Sequence, residues 1–270
     1  MKNLLYILLI SGLFISCSSS NDDEPTPEDT TPILVTKESQ TTETGNIYYY
    51  NIKYDGDKIV ESVEDNTFKN VYTYNGDNIV KIVTSDGNIE KEISEFAYSN
   101  DRLVSEKVTD KRLGTLVYTI NYTYENDNKV KYKKFYGSTY NPTTGQHSNL
   151  LFSNAEAQIS NGNVVKVTET FDSPNENYTE IEETTYDNKN NPYKNIRGML
   201  KIQLSGGRDW VAKNNITKVS QTHTGSLTYF DNESMTYIYN NSDYPIQKTT
   251  KYTSSEYPEK TEIYTFEYNK

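Results

Sequence analysis

Apolar and polar residues alternate along much of the chain after residue 45, with the period of two that is typical of β-strands. Between residues 117 and 124, the even-numbered positions hold three tyrosines and an isoleucine, whereas the odd-numbered positions are mostly polar. The same alternation occurs at 48–54 and again at 264–268. Because successive side chains of a strand point to opposite faces, each segment predicts a strand with one buried face.

Short turn sequences interrupt these strands at intervals of about 20 to 35 residues as far as residue 186, and one further copy follows at residue 239. Each starts with an aromatic or apolar strand end, continues with Asn, Gly or Asp, and in most copies returns to apolar residues. The copies are Tyr54–Val60, Tyr74–Val80, Tyr98–Val104, Tyr124–Val130, Ile159–Val165, Tyr186–Asn190 and Tyr239–Asp243. Asn-Gly and Asp-Gly supply the positive φ angles of tight hairpin turns. The chain is therefore predicted to be all-β, an antiparallel meander of about 14 to 18 strands, curled or closed like a barrel so that its edges are covered.

The stretch from residue 191 to residue 215 does not follow this pattern of alternating strands and tight turns. It contains a Gly-Gly pair and Trp210, which is the only tryptophan of the chain. Its apolar residues suit a short helix or an irregular plug, which we place near 193–212. It is either a connection tucked over one mouth of the sheet or a lid over a ligand cavity. Under the second interpretation, Trp210 is the candidate ligand-binding residue.

From about residue 45 to residue 270, the chain resembles a family of exported lipoproteins of Gram-negative bacteria. The resemblance rests on the order of the hairpin turns, on Asn191-Pro192-Tyr193 and on the segment 212–216. The family is a domain of unknown function with a porin-like fold. The hairpins also resemble, with looser spacing, the tyrosine-aspartate repeats of large toxin-wrapping shells. The resemblance implies a single β-repeat domain over 45–270 and a location in the cell envelope, and it brings no established activity.

The first 16 residues have the pattern of a signal peptide. Lys2 supplies the positive start, and the apolar run from Leu4 to Ile15 is too short to span a bilayer as a helix. The run leads into Phe14–Cys17, which resembles the lipobox of bacterial lipoproteins, with Phe14 where leucine is usual. In such proteins the signal is cut before a cysteine that carries the lipid. The resemblance implies that Cys17, the only cysteine, is the lipid-attachment residue.

Residues 17–44 are expected to be a disordered tether that is acidic and rich in proline. Asp22, Asp23 and Glu24 follow closely after Cys17. This acidic cluster resembles the surface-export signal of some Gram-negative lipoproteins, although a solvated acidic tether would have the same composition. The expected location is therefore the outer membrane, lipid-anchored and exposed on the cell surface, with the membrane as a partner through the anchor.

Composition excludes some functions. With 38 acidic and 27 basic side chains, the chain has a net charge of −11, which disfavours nucleic acid as a partner. No cofactor is expected. No metal site is expected either, since the two histidines, His147 and His223, form no metal-binding motif and are expected to be exposed. The Asp/Asn turns could offer oxygen ligands to calcium, but they lack the spacing of a dedicated calcium loop.

The tyrosine stripes carry the functional expectation. Aromatic rings stack on sugars or line apolar cavities, but they can equally form the inner packing of the sheet, with hydroxyls bonded to neighbouring backbone. We expect a non-catalytic, lipid-anchored binding or scaffold protein of the cell surface, with a glycan or an apolar small molecule as ligand. One alternative is a glycan hydrolase with loop carboxylates. Carboxylates are abundant in the chain, for example those of Glu180, Glu182 and Glu183, but the spacing of Glu180 and Glu182 fits a solvated strand face better than a catalytic pair. A second alternative is that the protein is a structural subunit of a surface complex.

Overall fold

The computed structural model describes residues 31–270 except 113, 142–145, 174–175, 206–209 and 226–228, and leaves out the side chains of 138–151 and 172–176. The predicted signal peptide, Cys17 and the acidic cluster Asp22, Asp23 and Glu24 lie outside the described residues. Residues Pro32–Lys270 form one compact unit. No helix of the described part is long and apolar enough to cross a membrane.

Sixteen strands and one short 3-10 helix, Met199–Ile202, make up the described part of the chain. The strands are β1 (Val35–Thr41), β2 (Ile47–Asp55), β3 (Lys58–Glu64), β4 (Phe68–Asn75), β5 (Asn78–Asp86), β6 (Ile89–Ser99), β7 (Arg102–Asp110), β8 (Thr115–Asn126), β9 (Lys129–Asn141), β10 (Gln146–Ser160), β11 (Asn163–Ser173), β12 (Glu176–Tyr186), β13 (Ile216–Gly225), β14 (Tyr229–Tyr239), β15 (Pro245–Ser254) and β16 (Lys260–Tyr268).

The strands form a closed antiparallel barrel in which each pairs with its neighbours in sequence. β1 closes the ring by pairing with β16, for example through Glu38 opposite Phe266. The all-β antiparallel meander with a strand count between 14 and 18 is confirmed. Of the two predicted arrangements, curled or closed, the structure has the closed one. The prediction of a short helix or an irregular plug near 193–212 is confirmed: between β12 and β13, the described residues contain one four-residue 3-10 helix and otherwise irregular chain.

β1 lies inside the range 17–44 that the sequence analysis assigned to the tether, so that boundary is wrong. The strand is held by ladders with β16 on one side and β2 on the other. Its inward residues include Glu38 and Gln40, which line an internal cavity. Apart from the buried Val35, the inward side chains of β1 are polar, so the strand lacks the apolar alternation by which the others are recognised.

The hydrophobic core lies at one end of the barrel, where each even-numbered strand leads into the next odd-numbered strand. The first apolar residue after each of four turns is buried there; these are Ile59, Ile79, Leu103 and Val130. They belong to one cluster with buried residues of the segment 187–215, which joins β12 to β13. The members from that segment are Tyr193, Ile196, Met199, Ile202 and Val211. We call residues 187–215 the plug and this end of the barrel the plug end, because the segment supplies five of the sixteen buried residues of this cluster.

Charged turn residues hold the plug in place. The guanidinium of Arg197 donates to both carboxylate oxygens of Asp57, with Nη2 2.6 Å from Oδ2, and Lys201 Nζ donates to Asn78 Oδ1 at 2.7 Å. Lys201 also pairs with Asp101. Hydrogen bonding from Arg197 lowers the pKa of Asp57. The acids of these turns therefore serve as partners for the plug's cations, in addition to shaping the turns.

Tyrosine hydroxyls close the gaps between neighbouring hairpins at the plug end. In the ladder between β5 and β6, the last pair is Lys81 with Glu95, so Ile79 and Tyr98 lie beyond it. There the Tyr98 hydroxyl donates to the Ile79 carbonyl at 2.8 Å. Four more tyrosines repeat this bond at 2.6 to 2.7 Å: Tyr54 to Val35, Tyr186 to Val164, Tyr237 to Ile216 and Tyr268 to Pro245. For these tyrosines, inner packing with hydroxyls bonded to neighbouring backbone is confirmed.

We expect Tyr98→Phe to lower the free energy of unfolding by about 1 to 2 kcal/mol, because the Ile79 carbonyl loses its partner. Urea unfolding followed by circular dichroism would measure the loss. Tyr49→Phe is the matched control, since Tyr49 is 41% exposed on the outer face, and its stability should stay close to that of the wild type. Equal losses in the two variants would show that the bridging hydroxyl has no special role.

The outer face of the barrel carries ion pairs between neighbouring strands. They include Lys37 with Glu267, Lys53 with Glu61, Lys107 with Glu95 and Lys166 with Glu183. These pairs are distributed around the wall, so the outward face is charged on several sides.

Candidate functional site

Beyond the core, the inward face of the barrel is polar and acidic. The register places acids of many strands on this face, including Glu38, Glu64, Glu92, Glu106, Glu169, Glu180, Glu233 and Glu262. Lysines on the same face include Lys134 and Lys248. Burial raises the pKa of both Glu106 and Glu169. The lumen therefore repels anions and offers many hydrogen-bond acceptors.

Next to the plug lies a cavity of about 380 Å³. Residues of β1, β2, β13, β14, β15 and β16 form its wall, and residues of the plug complete it. The polar residues that line it are Glu38, Gln40, Asn191, Asn215, Glu233 and Lys248, and the aromatic ones are Tyr50, Tyr193, Trp210, Tyr237, Tyr264 and Phe266. Concave spaces of this size that combine aromatic and polar side chains are the usual places for ligands.

Two plug residues form an aromatic platform in this cavity. The rings of Tyr193 and Trp210 are stacked, with centroids 4.4 Å apart and planes 9° from parallel. Tyr193 is buried and its hydroxyl donates to Glu38, a carboxylate of β1 that is only 6% exposed. The hydrogen bond to the barrel wall therefore fixes the orientation of the platform.

Another part of the cavity wall combines an ammonium group with a second aromatic ring. Lys248 Nζ lies 3.9 Å from the centroid of the Tyr264 ring. The Tyr264 hydroxyl donates to Glu262 at 2.8 Å, and the hydroxyl of Tyr252 donates to the same carboxylate at 3.0 Å. The cavity thus presents aromatic faces, carboxylates, amides and an amine within one small space.

A second connection between wall and plug involves Glu106, which is buried. Its two carboxylate oxygens accept hydrogen bonds from Tyr118 and Tyr122, each at 3.2 Å. The Tyr122 hydroxyl also lies 3.4 Å from the carbonyl of Leu204 in the plug. Glu106 therefore belongs to the contact that seats the plug, on the opposite side of the lumen from Glu38.

The residues singled out from the sequence have different outcomes. Trp210 lines the cavity, and its role in binding stays a prediction. His223 is 4% exposed, so the expectation of an exposed histidine is wrong for it: its strand turns this residue into the barrel. The side chain of His147 lies outside the described residues. In the described part of the chain, no group of three His, Cys, Asp or Glu residues could hold a metal ion.

The interpretation of Glu180 as part of a solvated face is also wrong. Glu180 points inward, where it accepts a hydrogen bond from Gln221, and its Oε2 lies 3.5 Å from Nδ1 of His223. Glu183, on the opposite face of β12, pairs with Lys166 at 2.9 Å. A period of two shows which residues share a face, but it does not show that the inner face is polar.

Sequence reasoning missed Glu38, Gln40 and Lys248 as cavity residues. Residues of this kind could have been predicted from one sequence pattern, in which an acid shares a strand face with tyrosines. Glu262 and Tyr264 show this pattern, because they are two positions apart in one strand. Such an acid shares the face that the tyrosines bury. It should therefore be assigned to the interior.

Comparison with known proteins supports the fold. A porin-like protein from Bacteroides vulgatus aligns with 88% of this chain and 99% of its own, with a TM-score of 0.55 and 13% sequence identity. A porin-like protein from Bacteroides uniformis aligns with 86% of this chain and 96% of its own, with a TM-score of 0.46 and 11% identity. No known protein family and no curated protein matches the chain. At this level of identity the likeness concerns the fold alone, and the chain has a porin-like β-barrel fold.

Proposed function

We propose that the protein is a non-catalytic binding module that holds a glycan in the cavity beside the plug. The observation that carries the proposal is the stacked pair of Tyr193 and Trp210, set among Glu38, Gln40 and Lys248. Sugars present apolar ring faces to aromatic side chains and hydroxyl groups to carboxylates, amides and amines. This cavity supplies partners of both kinds.

The same lining argues against an apolar small molecule as the ligand. Six of the residues that line the cavity have charged or amide side chains. The hydroxyl groups of a sugar offer hydrogen-bond donors and acceptors to such side chains, whereas a hydrocarbon offers neither.

Trp210 provides a direct test, because it is the only tryptophan and reports on the cavity by its fluorescence. We expect an uncharged oligosaccharide among maltohexaose, cellohexaose, xylohexaose and mannohexaose to change this fluorescence and to bind in calorimetry. Trp210→Leu should weaken that binding by about tenfold, a loss of about 1.4 kcal/mol. Phe230→Leu, at an exposed position of the outer face, is the control and should bind normally.

Absence of binding by the wild type to all four sugars would overturn the proposal. Cleavage of a bound sugar, seen by chromatography of the mixture, would instead favour the hydrolase alternative. Its carboxylates would then be sought in the lumen by single Glu→Gln substitutions.

We also propose that the barrel is held at the outer membrane by a lipid on Cys17, with Asp22, Asp23 and Glu24 directing it to the cell surface. The charged pairs of the outer wall support a barrel that stands in water, because a lipid-facing wall needs an apolar band. A single acyl chain anchors a protein only marginally, so stable attachment takes more than one.

We expect Cys17→Ala to move the protein from the membrane fraction to the soluble fraction. Asp22→Asn/Asp23→Asn/Glu24→Gln should leave it in the membrane fraction but remove it from the surface, as measured by protease treatment of whole cells. A Cys17→Ala protein that stays with the membrane would contradict the anchor.

A further inference from the structure

A continuous row of aromatic rings lines the lumen on six successive strands, from β9 to β14. The row consists of Tyr136, Phe152, Phe171, Tyr178, His223 and Tyr229. Neighbouring rings have centroids 4.0, 5.1, 4.3, 5.9 and 3.8 Å apart in that order. We call these six residues the aromatic belt.

The register places the belt on the inner face, toward the end of the barrel opposite the plug. Tyr136 is opposite Tyr118, an inward residue whose hydroxyl donates to Glu106. Phe171 is opposite Tyr178, and His223 is opposite Tyr229. With five strand-to-strand steps of about 4.8 Å, the belt follows the wall for about 24 Å.

Polar groups lie directly beside the belt. Glu169 and Glu180 are opposite each other on β11 and β12, two residues from Phe171 and Tyr178. Lys134 Nζ lies 5.9 Å from the ring centroids of both Tyr136 and Phe152. The surface therefore alternates ring faces with acceptors and a donor, as the cavity beside the plug does.

His223 shows that the belt is more than core packing. It is buried, and its Nδ1 lies 3.5 Å from Glu180 Oε2 without a hydrogen bond to it or to any other group in the described part of the chain. A buried nitrogen that makes no hydrogen bond is costly, and such atoms are rare in native proteins. A hydroxyl group of a ligand lying on the belt would give this nitrogen a partner.

The belt also leads toward the cavity. Along β13, Val219 lines the cavity and His223 belongs to the belt, four residues or about 13 Å away. Gln221 lies between them on the same face and donates to Glu180. A chain molecule could therefore contact both surfaces at once, which a monosaccharide could not.

We propose that the aromatic belt is an extended subsite for the sugar rings of an uncharged glycan chain, one end of which occupies the cavity. This rests on the proposed function and adds the ligand's chemistry: a chain rather than a single sugar, and uncharged because the acids of the lumen repel anionic polysaccharides. The rings stack on sugar faces, and Glu169, Glu180 and His223 bond to hydroxyl groups.

The test compares chain lengths of one sugar. Calorimetry would measure the binding of maltohexaose, cellohexaose, xylohexaose and mannohexaose, and of the disaccharide of each series. We expect Tyr136→Leu/Tyr229→Leu to weaken binding of the hexasaccharide by about threefold to tenfold and to leave the disaccharide unchanged, because only the longer chain reaches the belt. Both substitutions lie at the ends of the belt and spare its buried members.

The control is Tyr49→Leu, since Tyr49 on the outer face and Tyr136 in the belt are each 41% exposed. Thermal unfolding would verify that all variants are folded. Equal effects on both chain lengths, or no effect on either, would overturn the belt subsite and leave the cavity proposal standing. Failure of the wild type to bind any of these sugars would overturn both.

Discussion

Replacing Gly198 with alanine is expected to lower the free energy of unfolding by about 2 to 5 kcal/mol. Gly198 precedes the 3-10 helix of the plug and has a φ of +78°, a conformation that costs a residue with a Cβ about 1 to 2 kcal/mol. A Cβ built there would also lie 2.6 Å from the carbonyl oxygen of Asp77, which is backbone and cannot turn away. Overpacking of this kind adds about 1 to 3 kcal/mol. Urea unfolding would measure the sum.

Gly56→Ala separates these two contributions. Gly56 has a φ of +62°, but no atom lies within 4 Å of the position that its Cβ would take. This variant should therefore show only the conformational cost, about 1 to 2 kcal/mol. If Gly198→Ala were no more harmful than Gly56→Ala, the plug would not be packed against the turn between β4 and β5 as described.

Leu103→Ala is expected to cost about 3 to 5 kcal/mol, the upper range for Leu→Ala in a packed core. Leu103 is 1% exposed and belongs to the cluster that joins the strand starts to the plug. The cost would be high because the plug is held by other contacts, such as Lys201 with Asp101, and cannot move freely to fill the space. The free energy of unfolding in urea is again the measurement.

Val104→Ala is the matched control, because Val104 is the next residue of β7 and faces the other way, half-buried. We expect it to cost less than about 1.5 kcal/mol. A small effect at Leu103 would mean that the core is loosely packed, and that the plug covers the barrel end without completing its interior.

The hairpin turns explain how far the fold could be predicted from the sequence. Gly56 and Gly76 have φ values of +62° and +59°, and Asn100 and Asp101 also adopt positive φ, as turn chemistry requires. The apolar residues that follow them, such as Ile79, are the buried core. The strands, the turns and the approximate number of strands could therefore be predicted, because each of these features depends on residues that are close together in the chain.

The interior was harder to predict, because a barrel of this size need not be filled by apolar side chains. Glu38 and Glu180 point inward from strands whose alternation does not show whether a polar face lies toward the lumen or toward the outside of the barrel. Trp210 is conspicuous in the sequence as the only tryptophan, but the cavity around it includes walls from β1, β2 and β16, which are distant from it in sequence. The ion pair between Arg197 and Asp57 likewise joins residues 140 positions apart, and no local sequence pattern predicts it.

The closure between β1 and β16 also sets the order of events during synthesis. Nearly every strand pairs with the strands that directly precede and follow it in the chain, but Lys37 of β1 must wait for Glu267, 230 positions later. Until Lys260–Tyr268 has emerged, β1 and β15 each keep an open edge that can pair with another chain. We therefore expect the chain to aggregate most readily, and to need a chaperone that shields strand edges, until β16, the last nine-residue strand, has been made. Chains cut short before it should be cleared by proteases and should not accumulate as partial barrels.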